Sequence, residues 1–194
     1  MNWCEQFINR ILALFILIVL TPFLAIMMLA VKLGTPGPAI FSQKRLGFGG
    51  KFFTCFKLRS MHSNELEQET SIGKILRRTG LDELPQLWNI LRGEMAFVGP
   101  RPISRSRYLR FINCPPCLLR DLWKKKWNSV LPGITGYSQI SPHLSKAEAD
   151  LFYIENKSFR LDAWIIIKTF PLIFNKKKKS PQNLLGDVKQ TPID

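Results

Sequence analysis

Histidine and acid are both scarce in this chain: its 194 residues include 2 His, 4 Cys, and 14 Asp plus Glu against 28 Lys plus Arg. His62 and His143 stand apart, and of Cys4, Cys55, Cys114 and Cys117 only the last two are close. No His-x-x-x-His and no second Cys-x-x-Cys is left to complete a zinc site. The Cys114-Pro-Pro-Cys117 spacing lacks the βαβ pattern that a thioredoxin-like pair requires, so the cysteines read as reduced thiols. A phosphate loop is missing too: around Gly50-Lys51 the first glycine of that pattern falls on Arg45 and its Ser/Thr on Phe52. The shortage of acid leaves a net charge of +14, which suits an anionic partner such as nucleic acid, anionic lipid or a phosphorylated substrate. The length is that of one domain.

Charge disappears altogether from residues 11 to 31, ILALFILIVLTPFLAIMMLAV. A helix rising about 1.5 Å per residue over this stretch reaches across a bilayer core of roughly 30 Å. The run is long for a signal peptide, and no small-x-small cleavage site precedes Lys32. Thr21-Pro22 sits at its centre, where proline removes the N–H that would bond the Ile18 carbonyl, and a kink is predicted there. The residues alone slightly prefer a kinked spanning helix over a hairpin that returns to the same leaflet. Arg10 before the run is outweighed by Lys32, Lys44, Arg45 and Lys51 after it, which places the body in the cytoplasm. Near the other end, LDAWIIIKTFPLIFNKKKKS is too broken by Asp162, Lys168 and Pro171 to span. It reads either as an interfacial amphipathic helix beside the lysines at 176 to 179, or as a core helix with a solvated tail.

Between these segments, two short apolar runs flank Gly47-Phe48-Gly49-Gly50 and predict a β-hairpin, and residues 62 to 71 read as a polar, acidic loop. Leu84, Leu87, Trp88 and Leu91 then follow the spacing of an amphipathic helix, with Asp82 and Glu83 in its first turn and a stop at Arg92-Gly93. Thr79-x-x-Asp82 offers a capping box, and Pro85 is tolerable close to a helix start. First-turn acids are common, because they complement the helix dipole by about 0.3–1 kcal/mol each. The surroundings favour chemistry instead: Arg77 and Arg78 lie just upstream, and Arg101 is presented by the stiff turn Gly99-Pro100-Arg101-Pro102. Arginines gathered around a carboxylate make a site for phosphate or a metal-bound diphosphate.

Three blocks, RLGFGGKFFTCFKLRSM, GKILRRTGLDELPQLWNILRGEMAFVGPRP and LPGITGYSQI, followed by the D-x-x-Y-I of Asp150 and Tyr153, resemble the bacterial sugar transferases known as monotopic phosphoglycosyltransferases. The resemblance implies a mainly α fold with a small β-hairpin (α+β). It divides the chain into a re-entrant membrane helix hairpin at 1–33 broken at Thr21-Pro22, a cytoplasmic catalytic domain at 34–175 with interfacial helices, and a loose basic tail at 176–194. It implies transfer of a sugar phosphate from a nucleotide-diphospho-sugar, usually a UDP-sugar, to polyprenyl phosphate at the cytoplasmic face of a bacterial inner membrane, with magnesium (Mg2+) and release of the nucleoside monophosphate. Asp82 matches the nucleophile and Glu83 its partner, both near the metal. Arg77 and Arg101 match phosphate-gripping positions, with Lys57 and Arg59 as further candidates.

The chain departs from the family pattern in the short loop from His62 to Ser71, in ISRSRYLRFINCPPCLLRDLWKKKWNSV, and after Gln139, where Asn-Gly-Arg is missing. Two other classes compete. Lys124 to Lys126 beside Trp123 and Trp127 would suit a membrane-tethered nucleic-acid binder, but no nucleic-acid module appears and no such partner is expected. The departures would suit a non-catalytic membrane scaffold, against which the intact Asp82-Glu83 pair and the proline turn both count.

Overall fold

The computed structural model describes residues 3–62, 68–113 and 118–174. The Cys114–Cys117 pair, the centre of the polar loop, and the lysines at 176 to 179 with the tail around them lie outside the described residues.

The uncharged run forms one helix, α1 (Trp3–Gly34), with Pro22 inside it. The structure draws a single element here rather than two arms of a hairpin. The Thr21 hydroxyl donates to the Leu17 carbonyl at 2.6 Å, a local bond that accompanies bending in helices. One stripe of α1 meets the body on both sides of Pro22. Ala13, Ile16 and Leu17 pack with Phe53, Cys55, Leu87 and Ile90. Beyond Pro22, Leu24, Met27, Met28 and Val31 pack with Leu58 and Leu76. The rest of its circumference is apolar and exposed, including Phe15, Ile18, Val19, Ile26 and Leu29.

The hairpin forms as expected, β1 (Ile40–Leu46) against β2 (Phe52–Leu58), antiparallel, with Leu46 opposite Phe52 and Ile40 opposite Leu58. Gly49 and Gly50 take φ of 65° and 75° in the turn, the left-handed region that glycine reaches at no steric cost. Next comes α2 (Ser71–Thr79), capped by the Thr70 side chain, which accepts from Gly73 N–H at 2.8 Å.

The predicted continuous helix from residue 81 is corrected. Gly80 ends α2 with φ 74°, Leu81–Glu83 is a 3-10 turn, and α3 (Gln86–Leu91) begins only after Pro85. The reason lies in the proline ring and the left-handed glycine, which together divide the stretch into two short pieces. The expected capping box does not form, since the Thr79 hydroxyl bonds back to the carbonyls of Ile75 and Leu76. The buried face of α3 is Gln86, Leu87, Asn89 and Ile90, while Trp88 is 48% exposed. Asn89 stitches α3 to the hairpin: it accepts from Phe56 N–H at 3.2 Å and donates to the Thr54 carbonyl and to Glu94, both at 2.7 Å.

A second, parallel pair joins β3 (Ala96–Val98) to β4 (Gly133–Thr135), with α4 (Arg105–Ile112) and α5 (Leu118–Trp127) between them in sequence. The chains approach so closely here that a Cβ on Gly133 would lie 2.1 Å from Gly99 N, which requires glycine at that point. The short α6 (Tyr137–Ile140) leads to α7 (Lys146–Asn156) and α8 (Phe159–Phe174). Ile165 of α8 is buried, while Trp164, Ile166, Ile167 and Phe170 are exposed.

Candidate active site

Asp82 lies on the 3-10 turn, buried at 7% exposure. The left-handed Gly80 swings the chain inward after α2, so Asp82 and Glu83 face the end of β2 while the last-turn arginines of α2 stay outside. In the hairpin register Arg45 pairs with Phe53 and Gln43 with Cys55, and alternation puts Arg45, Phe53, Cys55 and Lys57 on one face. Phe53 and Cys55 continue that face into the core, and Lys57 at its end reaches the acid pair. Its ammonium lies 2.7 Å from Glu83 Oε1 and 3.8 Å from Asp82 Oδ2.

The proline turn completes the site. Gly99 N–H donates to the Thr135 carbonyl and Gly133 N–H to the Pro100 carbonyl, both at 2.9 Å, so the turn is fixed to the second sheet just before Arg101. Arg101 Nη2 donates to the same Glu83 Oε1 that Lys57 holds. The Glu83 charge raises the Arg101 pKa against the opposing effect of burial. A small pocket opens among these groups, lined by Arg45, Cys55, Lys57, Glu83, Gln86, Arg101 and Pro102.

The structure therefore gathers Asp82, Glu83, Lys57 and Arg101, and leaves two expected members elsewhere. Arg59 is buried and turned away: it donates to the carbonyls of Pro36 and Thr35 at 2.6 Å and to the Thr35 hydroxyl at 2.8 Å. Those groups follow the C-terminus of α1, where carbonyls lack helical partners and attract a cation. Arg77 is exposed and pairs with Glu69 at 3.3 Å. Sequence reasoning missed Arg45, Cys55 and Gln86. The hairpin register held the signal for the first two, because a turn centred on residues 47 to 50 places Arg45 and Cys55 on the Lys57 face.

Burial lowers the Arg45 pKa, helped by Arg101 and Arg107 and opposed by Cys55 and Glu83, while burial pushes the Cys55 thiol up. A raised thiol is a poor nucleophile, which leaves the carboxylates as the site's anionic groups. Among the described residues no cluster of three or more His, Cys, Asp or Glu could cage a metal. Two adjacent carboxylates suit magnesium nonetheless, since that ion usually takes one or two carboxylates and completes its shell with water and substrate phosphate.

A family model described as bacterial sugar transferase matches residues 1–176. A UDP-glucose:undecaprenyl-phosphate glucose-1-phosphate transferase of Xanthomonas campestris pv. campestris is 35% identical over 87% of this chain and 38% of its own length. A UDP-N-acetylgalactosamine-undecaprenyl-phosphate N-acetylgalactosaminephosphotransferase of Aeromonas hydrophila is 34% identical over 86% of this chain and 44% of its own. The chain thus spans less than half the length of these two relatives. An exopolysaccharide production protein, ExoY, of Sinorhizobium fredii is 30% identical over 84% of this chain and 82% of its own length.

Proposed function

Because the chain belongs to the bacterial sugar transferase family, we propose that it transfers a sugar phosphate from a UDP-sugar to undecaprenyl phosphate, with Asp82 as the nucleophile. The observation that carries this reading is the acid pair, with Asp82 buried, held between Lys57 and a proline-fixed Arg101. A carboxylate is a weak nucleophile and is repelled by a diphosphate unless cations neutralise the phosphate oxygens. Lys57 and Arg101 are placed to do that.

In the first half-reaction an Asp82 carboxylate oxygen attacks the phosphorus next to the sugar. The bond from that phosphorus to the bridging oxygen breaks, and UMP departs with that oxygen. A phosphosugar is left on Asp82. In the second half-reaction a phosphate oxygen of the lipid attacks the same phosphorus, breaks its bond to Asp82, and forms polyprenyl-diphospho-sugar. Glu83 keeps Lys57 and Arg101 positioned between the two steps, and Arg101 takes phosphate charge as it develops. Asp82 and Glu83 would hold magnesium, which when bound would supply further neutralisation of that charge.

The acceptor's tail cannot leave the bilayer, so this chemistry belongs at headgroup level. That placement is supported by the two ends of α1. Asn9 accepts from Phe97 N–H at 3.1 Å near one end, and Arg59 holds Thr35 and Pro36 just past the other. The helix between them is roughly 37 Å long, more than a bilayer core. A helix that crosses the membrane cannot have one cytoplasmic body at both of its ends. The path we propose therefore enters and leaves by the cytoplasmic leaflet, with Pro22 at its deepest point. The exposed Trp164, Ile167 and Phe170 of α8 suit an interfacial helix beside it.

The test is incubation of the purified chain in nanodiscs with undecaprenyl phosphate and a panel of UDP-sugars, scoring UMP and lipid-linked product. Release of UMP with lipid product, lost in excess EDTA, is the expected result. No UMP from any sugar nucleotide would overturn the transfer reading.

A further inference from the structure

Among the described residues no carboxylate forms an ion pair with Arg45, although Glu83 lies within its electrostatic reach. Arg45 Nη1 donates to the Pro102 carbonyl at 2.8 Å, and its buried Nε has no hydrogen-bond partner. Lys57 and Arg101 are drawn to the acid pair, and Arg45 lines the same pocket as Glu83 without pairing to it. Arg45 is the cation left over. It also sits within the electrostatic reach of two further arginines, Arg101 and Arg107, both of which disfavour its charge. Holding the proline turn does not explain a guanidinium at this point. Leu46 N–H already bonds the Ile103 carbonyl at 2.9 Å, and the sheet contacts fix the turn from the other side. An unmatched, half-buried cation is costly unless an anion completes it.

We propose that Arg45 is a phosphate-binding residue of this pocket, its guanidinium oriented by Pro102 to receive a phosphate oxyanion brought by a substrate. The inference rests on the transfer reading and extends it to a residue that the acid pair does not engage. The same chemistry can come from two sources, the diphosphate of the donor or the monophosphate of the lipid. The guanidinium fork offers paired donors in one plane, whereas lysine at the same point supplies only a compact charge.

The experiment uses the full chain in nanodiscs as wild type, Arg45→Gln and Arg45→Lys. KM is measured separately for a UDP-sugar and for undecaprenyl phosphate, each with the other saturating, and UDP binding is compared with uridine binding by calorimetry. Arg45→Gln is expected to raise KM for one phosphate ligand by about tenfold to about a hundredfold, with the other changed by less than about twofold. Arg45→Lys should fall between Arg45→Gln and wild type. A rise in the sugar-nucleotide arm, with weaker UDP but unchanged uridine binding, assigns Arg45 to the donor. A rise confined to the lipid arm assigns it to the acceptor. Unchanged KM in both arms, or a fall in kcat and thermal stability alone, overturns the proposal and leaves Arg45 as a brace for the turn. Wild-type protein that turns over no sugar nucleotide would sink the transfer reading, and binding of UDP and of undecaprenyl phosphate to wild type and Arg45→Gln, which needs no turnover, would still decide Arg45.

Discussion

Replacing Asp82 with Asn separates a nucleophile from a structural ion pair, because the two roles predict losses of different size. The Asp82 carboxylate lies 3.8 Å from the Lys57 ammonium, with the two side chains 10% and 20% exposed. At that separation and an effective dielectric near 20, the attraction is about 4 kcal/mol before desolvation is subtracted. Asparagine avoids the desolvation cost and preserves the shape. Lys57 also keeps Glu83 at 2.7 Å, so its charge remains matched in the variant. The net stability loss should therefore be about 1–2 kcal/mol, a fall of roughly 2–8 °C in Tm for a chain of this size. A protein with a usual stability of about 5–15 kcal/mol stays folded after such a loss. An ion-pair role thus predicts nearly full activity at 25 °C, whereas loss of the attacking oxygen predicts a fall of at least about a thousandfold. Intact-protein mass spectrometry after incubation with donor alone gives an independent reading. Wild-type protein should gain one phosphosugar and release UMP before any lipid is added, and Asp82→Asn should gain nothing. Turnover by Asp82→Asn within about tenfold of wild type would remove Asp82 from the mechanism, as would an active wild type that never gains the adduct.

Arg59→Ala should behave as a structural lesion. It orphans the Thr35 and Pro36 carbonyls at a cost of about 2–3 kcal/mol, visible as a lower Tm, while donor KM in the surviving folded protein stays unchanged. Cys4 is exposed at the start of α1 and should be labelled only from the cytoplasmic side of sealed cells once the other cysteines are replaced; labelling from outside would restore a spanning helix. Burial raises the Asp150 pKa to about 7, with the Trp123 indole donating to it at 3.2 Å. A carboxyl that is more basic folded than unfolded stabilises the protein while protonated, so stability should fall as pH rises from about 4 to about 7, by up to ~1.4 kcal/mol per pH unit. Asp150→Asn should flatten that slope in denaturation curves taken across the range.

The acid pair and the proline turn were legible in sequence because each is a local signal, two adjacent carboxylates before an apolar stretch and an arginine between prolines. The hairpin was legible for the same reason, its glycines marking the turn. Helix phasing failed where two local rules conflicted. Leu84, Leu87, Trp88 and Leu91 have helical spacing, but Gly80 and Pro85 divide the segment, and tertiary packing then turned Asn89 inward and left Trp88 exposed. The place of Arg59 was not legible because its partners are carbonyls that follow α1, more than twenty positions earlier in the chain, which no spacing rule connects. Arg45 was missed because its placement depends on strand register, and register becomes visible only after the turn is fixed.

The charges at the site also bear on how donor and metal arrive. Counted over five side chains, Asp82 and Glu83 against Lys57, Arg101 and Arg45, the charge is one positive in excess. On the proposed reading, a donor diphosphate adds roughly two negative charges and would turn that excess into a deficit around the attacking oxygen. It would also compete with Glu83 for Lys57 and Arg101, whose two donors now converge on a single Glu83 oxygen. A divalent ion entering with the diphosphate restores the original balance and gives Glu83 a new partner as the cations pass to phosphate. Metal and donor should therefore bind with positive coupling: each should tighten the other by the same factor, because binding free energies around a closed cycle are reciprocal. Calorimetry of UDP binding with and without magnesium measures that factor. The coupling should collapse in Glu83→Gln, where the carboxylate that exchanges its cations for metal is gone, and persistence of full coupling in that variant would refute the exchange.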